Sequence, residues 1–379
     1  MRYKSKIAFQ YLILIFIILV SFSFTPKNSE QNPIFKIPQF LNKKISDGPF
    51  FFIQDDNTVV VKWIKGKKAV EKEIKNNNYK KIQRKTGLPV DSDFFYFEEK
   101  KNIDLKQEYK NVDKFITLSD IHGQFDLFVT LLLQYEVVDQ DLNWNYGANH
   151  LIINGDVFDR GDQVTEIFWL IYILEKQAEK QGGKVHFLLG NHEVMVLNKD
   201  FRYVNDKYYN TTQLLNVSYD QLYSENTVIG NWLRSKPVIF SINDILFTHA
   251  GISPEFVERK ITVEQANGKF LNNQYNASKD SLLLFLEKTN GIVWYRGYFK
   301  TESFNEQKLD KILSYFNKKH IVVGHTTMPN VMSLYSGKLI CVDSGIKNGE
   351  YGEVLVYENG EFFRGTPYGS KIKLLTYDL

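Results

Sequence analysis

Five short stretches of this chain carry side chains that can bind a cation or move a proton. "SDIHG" brings Asp120 and His122, "GDVFDRG" brings Asp156, Asp159 and Arg160, and "GNHE" brings Asn191 and His192. "HAG" adds His249 and "GH" adds His325. Asp, His and Asn donors without a thiolate suit harder divalent ions such as manganese, iron, zinc or magnesium. Asp120, Asp156, His122, His249, His325 and Asn191 make six candidate ligands. One tetrahedral zinc needs fewer, and two ions sharing a carboxylate would use them all. A cation pair roughly 3.5–4 Å apart clamps the attacking and leaving oxygens of a displacement and generates hydroxide at neutral pH.

Arg160 and Arg296 suit the other half of such a reaction, because a planar guanidinium grips phosphate oxygens in pairs. His192 stands beside Asn191, so it can face a leaving group while its neighbour faces a metal. Asp159 would then fix its tautomer and favour the charged form that protonates a departing alcohol. Each residue taken singly has a plainer reading. A strand-end Asp is more often a cap, and Arg296, next to Trp294 and Tyr295, could simply pack. His150, His186 and His320 lie outside the clusters and read as structural or surface residues. The recurrence of one vocabulary in all five places is the signal.

Each cluster follows an apolar run: "KFITL", "HLIIN", "VHFLL", "DILFT" and "HIVV". Short apolar runs punctuated by glycine read as buried strands. From Asp113 onward they alternate with longer amphipathic segments, which predicts an α/β layered domain. Ligands in such sheets gather beyond the carboxyl ends of strands, so the clusters can converge on one rim. Upstream, "PFFFIQDDNTVVVKWI" predicts a β-hairpin around Asp55, Asp56 and Asn57. The lysine-rich "KGKKAVEKEIKNNNYKKIQRK", interrupted by Glu71 and Glu73, reads as a solvated helical or loop face.

The 379 residues carry a net charge of only +3, which argues against a strongly electrostatic nucleic-acid binder. The 15% aromatic content comes without basic interleaving and reads as core. One cysteine, Cys341, excludes an internal disulfide framework and a multi-cysteine zinc site. Its setting in "KLICVDSG" is that of a buried strand residue. At the N-terminus, Arg2, Lys4 and Lys6 precede an apolar run from Ile7 to Phe24, as in an export signal or an uncleaved membrane anchor. The expected division is a signal peptide or anchor over 1–25, a linker and hairpin-bearing extension over 26–112, and a catalytic domain over 113–379. The chain is expected to work outside the cytoplasm, periplasmic, secreted or anchored to the membrane.

In order, these motifs resemble those of the calcineurin-like metallophosphoesterases. Within that superfamily the likeness is to the phosphoprotein phosphatase group and its bacterial Shewanella-like branch, over Phe115 to Gly365. The resemblance implies a four-layer αββα sandwich with a binuclear metal centre of manganese, iron or zinc at the strand ends. It assigns one ion to Asp120, His122 and Asp156, and the other to Asp156, Asn191, His249 and His325, with Asp156 bridging. It makes His192 and Asp159 an acid dyad, with Arg160, Asn191 and Arg296 holding phosphate. Ser119 stands where the family has glycine, and Ala250 replaces the middle glycine of HGG; both are small enough to keep the site. The implied activity is hydrolysis of phosphate monoesters, on a phosphoprotein (Tyr or Ser/Thr) or a small phosphorylated molecule, by direct attack of a metal-bound hydroxide. A nucleotide or diadenosine-polyphosphate hydrolase on the same core is the alternative, and a non-catalytic binding module the remote one.

Overall fold

The computed structural model describes residues 45–55, 58–75, 78–91, 94–95, 102–271, 280–300 and 302–377. The N-terminal segment expected to direct export, and the hairpin tip at Asp56 and Asn57, lie outside these residues. In chain order, β1 (Asp47–Asp55), β2 (Thr58–Lys65) and β3 (Lys68–Lys75) precede helix α1 (Tyr79–Thr86). Then come β4 (Glu108–Tyr109), β5 (Lys114–Leu118), α2 (Phe125–Gln134), β6 (His150–Ile153), α3 (Val164–Lys180), β7 (Lys184–Phe187) and α4 (Asn191–Leu197). Helices α5 (Asp206–Leu215), α6 (Tyr219–Leu222) and α7 (Val228–Arg234) lead to β8 (Ile239–Ile242) and β9 (Ile245–Thr248). Helices α8 (Pro254–Glu258), α9 (Val263–Leu271), α10 (Ser281–Leu286) and α11 (Glu306–Phe316) follow, then β10 (His320–Val323). The order closes with β11 (Met332–Leu334), β12 (Leu339–Cys341), β13 (Val354–Glu358), β14 (Glu361–Gly365), β15 (Lys371–Lys373) and β16 (Thr376–Tyr377).

One sheet has the order β15-β14-β13-β5-β6-β7 and another the order β16-β11-β12-β10-β9-β8-β4. Strands β5, β6 and β7 run parallel, as do β9, β10 and β12. Successive residues along these strands face two different cores, which is why they read as unbroken apolar runs. Phe115, Ile152, Phe247, Val322 and Ile340 meet between the sheets. Ile116, Leu118, Ile153, Ile321, Val323 and Cys341, one position out of phase, join the helical residues Phe128, Leu132, Phe168, Phe256 and Leu309 in an outer core. The result is the expected four-layer sandwich, with Cys341 buried in its strand. His186 stacks on Phe240 at 4.7 Å and pairs with His150 at 3.0 Å, a structural use of both rings. Among the described residues no helix is long and apolar enough to cross a membrane.

The N-terminal hairpin is present, β1 against β2, but the lysine-rich stretch behind it departs from expectation. Residues 68–75 form a third strand, β3, antiparallel to β2, and only residues 79–86 are helical. Gly66, at φ 60°, lets the chain reverse between β2 and β3. The charges that suggested a helix face instead line an edge strand, where Glu71 sits opposite Lys62 and pairs with it at 3.0 Å. This small sheet is anchored from its first strand. Phe51 packs on Trp169 of α3 at 5.3 Å, the Trp169 indole donates to Pro49 O at 3.0 Å, and Thr211 of α5 donates to Asp47. Strand β4, which precedes Asp113, pairs with β8 and so extends the larger sheet.

Phe247 is fully buried between the sheets, 4.8 Å from Phe240 and 5.5 Å from Phe115. Phe247→Ala is expected to cost about 3–5 kcal/mol of stability, read from the urea midpoint of the purified protein. A loss below about 1 kcal/mol would show that the two sheets do not share this core.

Candidate active site

The parallel register aligns Leu118 with Ile153 and Ile153 with Phe187, so three strands end at one level. Their exits carry Asp120, Asp156 and Asn191, and the exits of β9 and β10 bring His249 and His325 from the second sheet. All five are buried, as are His122 and His192. At the centre is the Asp156 carboxylate. Its Oδ2 lies 3.2 Å from His249 Nε2, 3.7 Å from His122 Nε2 and 3.9 Å from His192 Nε2. Asp120 Oδ1 is 3.8 Å from His122 Nε2, and Asn191 Oδ1 is 3.1 Å from His249 Nε2.

The backbone decides which atoms point inward. His122 Nδ1 donates to Phe158 O at 2.6 Å and His249 Nδ1 donates to Asn154 O at 2.7 Å. A carbonyl only accepts, so each Nδ1 carries a proton and each Nε2 is the atom turned toward the site, the usual setting of a metal-ligating histidine. Asp120 Oδ2 accepts from Ser119 Oγ at 2.7 Å and from His325 N at 2.9 Å. Asp156 Oδ1 accepts from His192 N at 2.9 Å, which leaves Oδ2 for the imidazoles. Directing these side chains bends the chain sharply. Asp120, His122, Asp156, Asp159, Arg160 and His325 all have φ between 45° and 73°, an uncommon region for side-chain-bearing residues that collects at functional sites. Closeness also demands glycine: a Cβ on Gly155 would come within 2.7 Å of His249 Nδ1, and one on Gly190 would run into Asp156 Oδ1.

The electrostatics are those of a site built around positive charge. Burial opposes ionisation of Asp156, but His249 and His192 outweigh it and hold its carboxyl well below the usual range. Burial, with the Asp343 and Asp156 charges, pushes Asp120 up to about 8. Burial lowers His122 to about 3 and His325 to about 2, so both rings are neutral and available as ligands. His249 resists burial and rises to about 10 because the Asp156 carboxylate faces it. His325 Nε2 is buried with no hydrogen-bond partner among the described residues. Two trios bring ligand atoms within 4.8 Å of one another, His122 with Asp156 and His192, and Asp156 with His249 and His325. Asp156 belongs to both. Oxygen and imidazole donors, an orphaned ring nitrogen and carboxylates in need of counter-charge fit a pair of divalent cations sharing Asp156.

His192, a member of the first trio, meets Asp159 Oδ2 at 2.5 Å through its Nδ1. Burial would lower His192, but Asp156 and the Asp159 hydrogen bond overcome it and raise its pKa. Arg160 is exposed at the mouth, and its guanidinium has no carboxylate partner among the described residues. Arg296, at the start of a short 3-10 turn (Gly297–Phe299), reaches the rim by donating to His325 O at 2.8 Å and Thr326 Oγ1 at 3.0 Å. Every candidate site residue named from the sequence therefore lies in or around one site, with His192 inside the first trio and Asp120 outside both. The structure adds residues that the motifs concealed. Fully buried Glu193 accepts backbone N–H groups from Asp156, Val157, Phe158 and Gly190 at 2.8–3.2 Å, fastening the loop that carries Asp156 and Asp159. Asn154 and Ser119 brace His249 and Asp120, and Tyr203 lies against His192 at 5.4 Å. A carboxylate three residues after Gly190 was a visible signal for Glu193; Tyr203 had none.

Residues 114–329 match the family of calcineurin-like phosphoesterases. The chain is 32% identical to an uncharacterised protein of Schizosaccharomyces pombe, over 67% of its own length and 79% of that protein's. It is 29% identical to Shewanella-like protein phosphatase 1 of Plasmodium berghei, covering 65% of this chain and 72% of the other. Among solved structures it is similar to the cold-active protein-tyrosine phosphatase of a psychrophilic Shewanella, with 41% identity and a TM-score of 0.79. That match covers 87% of this chain and 99% of the other.

Glu193→Gln would face N–H donors with an amide nitrogen and is expected to weaken metal binding by about 10–100-fold. Titration of the folded variant with Mn(II) measures this, and an unchanged affinity would make Glu193 irrelevant to the site. Metal-free protein at pH 7 should hold a proton on His249 and another on Asp120. Loading it should expel about two protons, seen as a dependence of the calorimetric heat on the buffer's ionisation enthalpy. Heats independent of buffer would contradict these protonation states.

Proposed function

The chain belongs to the calcineurin-like phosphoesterase family, and from that premise we propose that it is a protein phosphatase acting on phosphotyrosine. That it is a metallophosphatase follows from the family and from the phosphatases it is similar to. The tyrosine preference is supported by its likeness to the Shewanella tyrosine phosphatase. The observation that carries the reading is one carboxylate, Asp156, shared by two trios of buried ligand atoms, with Asp120 3.8 Å from His122 Nε2 and His192 of the first trio paired to Asp159.

Asp120, His122 and Asp156 would hold one cation; Asp156, Asn191, His249 and His325 would hold the other. Two such ions supply Lewis acidity toward the phosphoryl oxygens and a water acidic enough to attack phosphorus at neutral pH. Manganese, iron or zinc suits this donor set. Arg160 and Arg296 would grip the non-bridging phosphate oxygens, with Asn191 beside them. His192 has one ring nitrogen committed to Asp159, so its Nε2–H is the proton donor left for the leaving oxygen. The phosphorus–oxygen bond to the side chain breaks as that oxygen takes the His192 proton, giving a phenol or alcohol and inorganic phosphate. No protein nucleophile is required. Cys341 is fully buried, and burial, with Asp343 nearby, pushes its thiol far up. We place the enzyme outside the cytoplasm, on the basic-then-apolar N-terminal segment.

A panel of phosphotyrosine peptide, phosphoserine peptide and diadenosine tetraphosphate, with Mn(II) present, tests the substrate class. Phosphotyrosine is expected to turn over fastest, and faster cleavage of the dinucleotide would overturn the reading. His192→Ala is expected to lower kcat on the phosphotyrosine peptide by about 10²–10⁴-fold. The loss on p-nitrophenyl phosphate should be far smaller, because its leaving anion needs no proton. Equal losses on both substrates would remove His192 as the acid.

A further inference from the structure

Tyr203 is a large aromatic residue that the fold leaves 44% exposed at the mouth of a buried site. Its ring centre lies 5.4 Å from that of His192, and the Arg160 and Arg202 guanidinium carbons each lie 5.6 Å from it. The segment is not loosely placed. Arg160 N donates to Tyr203 O at 3.0 Å, and Asn205 Nδ2 donates to Arg160 O at 2.8 Å, so this loop and the phosphate-facing arginine are clipped together. Arg202 is in turn gripped by Asp200 at 2.8 Å through both Nε and a terminal nitrogen. Two cations against one ring restrain it by cation–π attraction.

We propose that Tyr203 is the specificity-determining wall of a leaving-group subsite, against which the aryl ring of a phosphotyrosine side chain stacks. The inference rests on the phosphatase reading and adds to it the residue that selects the substrate. The leaving oxygen must come within about 2.6–3.2 Å of His192 Nε2 to receive its proton. In phosphotyrosine the aromatic ring is bonded directly to that oxygen, so it lies next to whatever borders His192. Tyr203 is the exposed ring there, and aromatic pairs associate at centroid separations of roughly 4.5–7 Å. Phosphoserine would place a lone methylene at the same point and gain nothing from a ring.

The test compares kcat/KM on phosphotyrosine and phosphoserine versions of one peptide for the metal-loaded full chain, Tyr203→Ala and Tyr203→Phe. Tyr203→Ala is expected to lower the tyrosine-to-serine selectivity ratio by about 3–10-fold, and Tyr203→Phe to preserve it, because the ring and not the hydroxyl does the stacking. Unchanged melting temperatures and metal content in both variants establish that the fold and site persist. A ratio within twofold of the parent in Tyr203→Ala, or an equal fall in Tyr203→Phe, overturns the subsite while leaving the phosphatase reading intact. A parent enzyme that turns over neither peptide overturns that reading and the subsite with it.

Discussion

A single buried carboxylate surrounded by imidazoles is the constraint on which the site depends. Asp156 Oδ2 faces three histidine nitrogens at 3.2–3.9 Å, while its other oxygen is tied to the backbone of His192. A carboxylate so far from water is costly unless opposite charge compensates it. In the metal-free protein His249 supplies that charge as an imidazolium, held high by the very carboxylate it neutralises. Divalent cations would supply more, and two of the other candidate ligands are already in the form that cations require. His122 and His325 are neutral, and His122 and His249 both have their outer nitrogens satisfied by carbonyls. The His249 proton thus supplies part of the charge that metal would bring.

The two sheets are there to bring that geometry about. One contributes Asp120, His122, Asp156 and Asn191, the other His249 and His325, and the aromatic layer of Phe115, Phe240 and Phe247 locks them face to face. The strand ends are then forced into left-handed backbone at six of the site's residues. Such bends persist only where the surroundings over-determine them. Glu193 is the strongest of those restraints, one carboxylate gathering four N–H groups from the two loops that carry Asp156 and Asn191. The same loops place His192 against Asp159, so the proposed cation site and the proposed proton donor share one scaffold.

The strands, the layering and the gathered ligands were legible because each signal was redundant. Three of the five apolar runs are followed directly by glycine, and glycine sits beside residues that must turn toward a common point, as Gly155 does beside Asp156. Glu193 was visible but ambiguous, since an acid three residues into a helix reads first as a cap. β3 was misread because its alternating charges suit a solvated helix as well as an edge strand, and only the partner Lys62–Glu71 register separates the two. Tyr203 could not be seen at all. Nothing local marks an exposed tyrosine as lying against a histidine eleven residues earlier, since that contact is made by the return of a loop onto Arg160.

The most direct test of the central claim is an anomalous-scattering map from crystals of the Mn(II)-loaded protein. Two peaks are expected about 3.5–4 Å apart, one on either side of the Asp156 carboxylate, with His249 and His325 ligating one of them. A single peak, or a pair that does not share Asp156, would contradict the account.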